Sequence, residues 1–489
     1  MSNFAPVVGL EIHIELKTKT KMFCYSLNDP DEKHPNINIC PVCMGHPGIL
    51  PVINQEAVEK VIMTGLALNG KVSEFSQFDR KNYFYPDLPK GYQISQYQHP
   101  LVEGGYLDIA GRRVRIRRIH LEEDTGRLIH DKKSGASLVD FNRAGVPLME
   151  LVTEPDLHTG EEVKNFGEEL QRILRYLDVS EADMEKGQLR MEVNLSLRKN
   201  GLDEFGTKVE IKNINSFKFA AEAVGYEIAR QTKLLELGEK VKAETRGWDE
   251  DKRQTFSQRH KEEAYDYRYF PEPDLPPLKI SPSTIESLRA KLPELPAVKR
   301  IRFAKEYGLV TEVIGILVKD KKLAEYFEEV VSELGAHLAE SGLPASKDLT
   351  KLAASVMTVD LQNLFKEASV TASDFGVTPE NMAELILYLG QDKISNITFK
   401  KVLEEMFKSK EDPSDIIERL GLWQMSDQTD LENIVRHIIL ENPKAMEDFK
   451  NGKESSLQFL VGQVMKESRG TANPKIVQEI VKKILNLKS

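Results

Sequence analysis

Apolar and polar residues alternate strictly from Leu10 to Leu16. Leu10, Ile12, Ile14 and Leu16 take one face of a strand, and Glu11, His13 and Glu15 take the other, because successive strand side chains point to opposite faces. Two further stretches repeat the design. In Gln188–Arg198, Arg190, Glu192, Asn194 and Ser196 alternate with Leu189, Met191, Val193, Leu195 and Leu197. In Thr207–Asn213, Lys208, Glu210 and Lys212 alternate with Val209 and Ile211. Arg112–Arg118 carries five arginines around Val114 and Ile116 and runs into His120-Leu121-Glu122-Glu123-Asp124. Such strands side by side predict an antiparallel sheet with one face covered by helices and one open, charged face. Helical periods at Gln55–Asn69, Glu161–Leu177 and Ala220–Gly238 supply the cover.

The pattern changes after a proline-rich stretch, Pro271 to Pro296. Beyond it 3.6-residue periods dominate. Leu457, Leu460, Val461, Val464 and Met465 form one stripe, Gly470-Thr471-Ala472-Asn473-Pro474 breaks it, and Ile476, Val477, Ile480, Val481, Ile484 and Leu485 resume it. The expected fold is α+β, with a cradle at 1–294, a helical domain at 295–410 and a helical tail at 411–489. Lys466, Arg469 and Lys475 bracket the break, where a helix N-terminus can join them on a phosphate.

Composition narrows the function classes. The chain has 489 residues and a formal net charge of −10, which argues against gripping nucleic acid with the whole surface but allows local basic patches. It holds no run of eighteen apolar residues, and its N-terminus enters the first strand at once, so neither a membrane span nor a signal peptide is expected. Three cysteines do not make a disulfide framework, and a reducing cytoplasm is the expected compartment.

The polar face offers chemistry. Glu11 and His13 stand roughly 6–7 Å apart along the strand, and Glu150 sits alone in the apolar run Leu148–Val152, where an unpartnered carboxylate is costly. Carboxylates suit a hard cation such as magnesium, and imidazole completes a mixed site. Acids that hold an ion beside bases that hold phosphate suit Mg·ATP chemistry. Neither a GxxxxGK[ST] loop nor a GxGxxG turn after a strand is present, so the two common nucleotide folds are not supported. Cys24 with Cys40 and Cys43 reads as a zinc knuckle short of one ligand, with His34 or His46 as the fourth, or as a metal-free loop. The loop around Lys81, Tyr83 and Tyr85 reads either as a surface that stacks on a base or ribose or as a packed tyrosine-rich loop.

Several strings together carry a resemblance: Val8-Gly9-Leu10-Glu11-Ile12-His13, Phe78 to Pro86, His120 to Gly126, Phe141 to Leu148, Tyr267 to Asp274, and Phe459 to Pro474. They resemble, from end to end, the B subunit of the bacterial and organellar tRNA-dependent amidotransferase. The resemblance implies one member of a heterotrimer, with A and C subunits as partners, that acts on Glu-tRNA(Gln), Asp-tRNA(Asn) or both. The A subunit would supply ammonia from glutamine. The B subunit would use ATP and Mg²⁺ to phosphorylate the side-chain carboxylate of the esterified amino acid. The resemblance also implies a cradle distantly like the glutamine synthetase active-site fold and a YqeY-like tail that meets tRNA. Carried over by motif, Glu11, His13, Glu123 and Glu150 would hold Mg²⁺, with Glu122 as the alternative to Glu123. Arg190, Lys208 and Glu210 on the basin face are expected to meet the nucleotide. Lys81, Tyr83 and Tyr85 are expected at the aminoacyl-tRNA end.

This sequence departs from the family pattern twice. Cys24-Tyr25-Ser26 lacks a second thiol, which puts Zn²⁺ in doubt, and Glu192 in Arg190-Met191-Glu192-Val193-Asn194 is one methylene longer than the usual aspartate. Two rival readings are a non-catalytic tRNA-binding scaffold and a metal-dependent phosphoester hydrolase.

Overall fold

The computed structural model describes residues 3–131, 133–260, 267–342, 346–424, 428–450, 453–468 and 470–485. The chain divides into two compact units, Met1–Leu295 and Pro296–Ser489.

The first unit is built on a ten-stranded sheet. From one edge its order runs Gln254–His260, Glu244–Asp249, Val209–Lys212, Leu189–Lys199, Phe4–Glu15, Pro147–Thr153, Arg112–Glu123, Val102–Glu103 and Lys71–Val72, with Tyr106–Ile109 also beside the arginine-rich strand. Every pairing is antiparallel except that of Val209–Lys212 with Glu244–Asp249. The alternation seen in the sequence sets the faces. Leu10, Ile12, Ile14, Leu189, Met191, Val193 and Leu195 are buried in one core with the helices Gly160–Tyr176 and Phe217–Glu236. Each helix starts at a hydroxyl cap, Thr159 accepting from Glu162 N and Ser216 from Phe219 N. Val163, Phe166, Leu170, Ile173 and Leu174 form the apolar stripe of the first helix, and all are buried.

The arginine-rich strand departs from simple alternation. Its partner register steps from Val152↔Arg118 to Thr153↔Ile116, so Arg117 is an extra residue in a bulge. Before the bulge Val114 and Ile116 face the core; after it Ile119 and Leu121 do. The bulge therefore turns His120 and Glu122 onto the face that carries Arg113 and Arg115. The expected cationic face is largely neutralised: Arg113 pairs with Asp108, Arg115 with Asp156 and Arg117 with Glu154.

The second unit is helical throughout its described residues. Leu457, Leu460, Val461 and Val464 of the helix Glu454–Glu467 pack with Val477, Ile480 and Val481 of the helix Pro474–Ile484 in a core of their own. Ile476, expected in that stripe, is exposed. Asn473 caps the last helix by accepting from Lys475 N, and Lys466 and Lys475 stand exposed on either side of the break. Arg469 lies outside the described residues. Among the described residues, no helix is long and apolar enough to cross a membrane.

Candidate functional site

Cross-strand pairing converts the sequence spacing into a site. His120 lies opposite Glu150, Glu150 opposite His13, and His13 opposite Arg190, which makes one row across four strands. The next row sets Glu11 opposite Glu192. His13 Nε2 is 3.4 Å from Glu150 Oε2, 3.6 Å from Glu122 Oε1 and 4.0 Å from Glu11 Oε1. His120 Nε2 is 3.5 Å from Glu150 Oε2 and 3.9 Å from Glu122 Oε2. Ser95 Oγ donates to Glu122 at 3.2 Å.

The alternation of strands also separates two neighbouring acids. Glu122 belongs to the cluster. Glu123 points to the other side of the strand, where it pairs with Lys90 and accepts from Ile94 N at 2.9 Å. The geometry thus sets Glu123 apart from Glu11, His13 and Glu150 and puts Glu122 among them. His120 shares a face with Glu122 in the sequence but is not one of the ligands the family resemblance implies. It is 2 % exposed and joins the group. Its Nδ1 is buried without a hydrogen-bond partner.

The electrostatics of the cluster favour a cation. Burial, Glu150 and Glu192 push the Glu11 carboxyl up. Burial opposes a charge on His13, yet Glu150 and Glu122 outweigh it and raise the imidazole to about 9. Glu11, His13 and Glu150 offer ligand atoms within 4.8 Å of one another, as do His120, Glu122 and Glu150. This donor set, mixed carboxylate and imidazole with an orphaned buried nitrogen beside it, fits a divalent ion. A cation bound by His13 must displace its proton. Apparent affinity for Mg²⁺ or Mn²⁺ is therefore expected to rise by up to about tenfold per pH unit from neutrality and to level off above about 9, in a calorimetric titration. The sign for ion-free protein is opposite. Because the folded-state value exceeds the ordinary 6.5, the stability this group contributes is complete below 6.5 and lost as pH rises through about 9.

The bases fall differently from expectation. Lys81, expected at the tRNA end, is half-buried beside the cluster: desolvation opposes its charge, but Glu122, Tyr269 and Glu150 raise its pKa. Its ammonium lies 5.1 Å from the Tyr267 ring and 5.8 Å from that of Tyr83. Tyr97 and Tyr269 stack at 4.1 Å, and Tyr85 is exposed. Arg190 is on the basin face as expected, with Nη2 2.9 Å from Asp124 and Nη1 4.0 Å from Glu15. Burial and Asp124 raise Glu15 to about 8, while Arg190 and Arg143 outweigh burial and lower Asp124. Lys208 is exposed and precedes its strand. Lys212, on the same face, is the lysine that reaches inward, 2.9 Å from Glu192 and 3.5 Å from Glu210. Glu210 also accepts from Thr245 Oγ1 at 2.9 Å. The sequence signal for Lys212 is its period-two relation to Lys208; only the register with Glu192 tells them apart.

The three thiols do meet. Cys24, Cys40 and Cys43 lie within 4.8 Å of one another. A structural zinc takes four donors. Here the neighbours of Cys43 Sγ are Lys21 Nζ at 3.8 Å and Ser26 Oγ at 3.9 Å, His34 is bound to Glu32, and His46 is exposed. The residues present do not complete a zinc site. A hydrogen bond from Cys24 and the Lys21 ammonium outweigh burial and hold Cys43 down at about 4. Burial pulls Lys21 itself down against the pull of the thiols.

Two family models match the chain. The GatB/GatE catalytic domain covers residues 6–286 and the GatB domain, of the YqeY type, covers residues 337–485. Among curated relatives, the B subunit of the aspartyl/glutamyl-tRNA(Asn/Gln) amidotransferase of Dehalococcoides mccartyi is 46% identical, with 99% of each chain covered. The protein of the same name from Thermodesulfovibrio yellowstonii is 48% identical and that from Thermotoga maritima 46%, again over 99% of both chains. With its basin strands inside the first match and its tail inside the second, the chain belongs to the family of amidotransferase B subunits.

Proposed function

We propose that the basin uses Mg·ATP to phosphorylate the side-chain carboxylate of Glu-tRNA(Gln) or Asp-tRNA(Asn), and that ammonia from a glutaminase A subunit then displaces the phosphate. The observation that carries this reading is the convergence of Glu11, His13, Glu122 and Glu150 on one patch of the open sheet face, with a half-buried lysine beside it. A carboxylate resists ammonia because its oxygens leave poorly, and phosphorylation supplies a leaving group. Phosphoryl transfer needs charge neutralisation and alignment more than covalent help from protein.

Glu11, His13, Glu122 and Glu150 would hold Mg²⁺, with His120 fixing Glu150 and Glu122 from behind. When bound there, the ion neutralises phosphate charge. Lys81 presents a fixed cation beside the same patch, suited to the transferring phosphoryl group. Lys212 offers a second cation from the far strand. Arg190 positions Asp124 and Glu15 at the basin rim. The aromatic wall of Tyr83, Tyr97, Tyr267 and Tyr269 gives the aminoacyl adenosine a stacking surface. The antiparallel cradle with acids on its open face supports the likeness to the glutamine synthetase site. For the second unit, the separate core from Leu431 to Leu485 supports a tail domain distinct from the helical domain before it, with the helix Pro413–Leu420 packed on Asn396–Ser409 and so on the helical side of the boundary. There Lys466 and Lys475 would contact tRNA phosphate. The full assembly is read as a heterotrimer with A and C subunits.

A paired substitution tests the ligand assignment. Glu122→Gln is expected to weaken Mn²⁺ binding by about 10–100-fold, read by electron paramagnetic resonance. Glu123→Gln is expected to leave Mn²⁺ affinity unchanged. Equal losses in both would reject the choice of Glu122.

A further inference from the structure

The thiol cluster lies outside the carboxylate basin, and the reaction uses none of it. Two donors converge on one sulfur, that of Cys43: Cys40 N at 3.1 Å and Lys21 Nζ at 3.8 Å; Ser26 Oγ lies 3.9 Å away and the Cys40 carbonyl 3.4 Å away. Such donors favour a thiolate. Charge balance points the same way. Lys21 is fully buried, and its acceptors are the Cys43 sulfur and the carbonyl of Phe141 at 3.2 Å. Among the described residues no carboxylate pairs with it. A buried ammonium needs an anion, and the sulfur of Cys43 is the group in place to be one. Cys40 Sγ stands 3.9 Å from that sulfur.

We propose that Cys43 and Cys40 form a reversible thiol–disulfide couple, with Cys43 as the thiolate that meets hydrogen peroxide and Lys21 as its counter-ion. In the first step the Cys43 sulfur attacks one peroxide oxygen. An S–O bond forms, the O–O bond breaks, and the departing hydroxide takes a proton from solvent. Cys40 then attacks the sulfenic sulfur. The S–S bond forms, the S–O bond breaks, and hydroxide leaves as water with the Cys40 proton. Two thiols lose two electrons, and one peroxide becomes two waters. Cys24 hydrogen-bonds to Cys43 and supports its thiolate without entering the disulfide.

Oxidation has a route to the basin. Cys43 shares a narrow cleft with Lys90, Glu123 and Gly145. Gly145 N donates to Asp124 O at 2.9 Å, and Arg143 stands 3.7 Å from the Asp124 carboxylate that holds Arg190. A disulfide removes the anion facing Lys21, whose remaining acceptor, Phe141, begins the turn that carries Arg143 and Gly145. Peroxide is therefore expected to lower amidation, and dithiothreitol to restore it.

The test uses the assembled complex with tRNA. After hydrogen peroxide, mass mapping without reductant should show the peptide bearing Cys40 and Cys43 lighter by two hydrogens, reversibly. Cys43→Ser should abolish this, Cys24→Ser should keep it, and Lys21→Met should slow it about tenfold, with Lys21→Arg close to wild type. Cys43→Ser and Cys40→Ser should retain reduced wild-type activity and resist peroxide, a readout that holds even if Lys21→Met does not fold. One equivalent of bound zinc that shields all three thiols would overturn the proposal. So would a cross-link from Cys24 instead of Cys40, or oxidation no faster than that of free cysteine.

Discussion

Replacing Glu150 with glutamine is expected to lower amidation of Glu-tRNA(Gln) by about 10²–10³-fold while leaving glutamine hydrolysis by the proposed glutaminase partner in place. The substitution keeps the size of the side chain and removes one charge. Glu150 stands between two imidazoles, 3.4 Å from His13 and 3.5 Å from His120, so it is the acid both histidines share. His13 and His120, with Lys81, lower its own pKa far below the carboxylate range despite burial. Its surroundings thus favour the carboxylate, and the amide of glutamine brings an oxygen but no charge to neutralise an ion. Steady-state amidation and an Mg²⁺ titration check the point together. Full activity restored at high Mg²⁺ would mean lost ion affinity alone; activity near wild type at ordinary Mg²⁺ would remove Glu150 from the site.

The second large effect is structural. Phe166→Ala is expected to destabilise the first unit by about 3–5 kcal/mol, lowering its melting temperature by roughly 6–20 °C. Phe166 is fully buried in the stripe of the helix Gly160–Tyr176, in one core with Leu10, Ile12 and Met191 beneath the basin strands. Truncation leaves a cavity that a sheet pinned on both sides cannot close. Because the basin residues alternate with these core residues along the same strands, amidation should fall with the fraction folded and recover on cooling. Differential scanning calorimetry gives the shift, and a change below about 1 kcal/mol would show that this helix does not support the sheet.

Much of this organisation is legible from periodicity. Leu10 to Leu16 names both faces of the first strand, and the same rule gives the faces of Leu189–Lys199 and Val209–Lys212. The arginine-rich strand is not legible in the same way, because a single extra residue at Arg117 reverses the phase and no local signal marks it. The choice between Glu122 and Glu123 depends on that phase. Lys81 reads in sequence as one base in an aromatic loop; its half-buried place beside Glu122 and Glu150 follows from tertiary packing. Lys208 and Lys212 share a face, and only the register that sets Lys212 against Glu192 tells them apart. The cysteine spacing identifies a cluster. Whether its fourth neighbour is a ligand or an ammonium depends on Lys21, a residue that no ligand-spacing rule connects to a CxxC pair.

The most direct measurement is phosphate transfer in the reconstituted complex. With A and C subunits as the proposed partners, it would be supplied with Glu-tRNA(Gln) or Asp-tRNA(Asn), γ-labelled ATP and Mg²⁺, with no ammonia donor, in wild type and in His13→Ala. Phosphorylation in the basin predicts aminoacyl-tRNA-dependent transfer in the wild type that disappears in the variant while tRNA binding persists. Transfer that survives in His13→Ala, or none in a wild-type complex that binds both charged tRNAs, would contradict it.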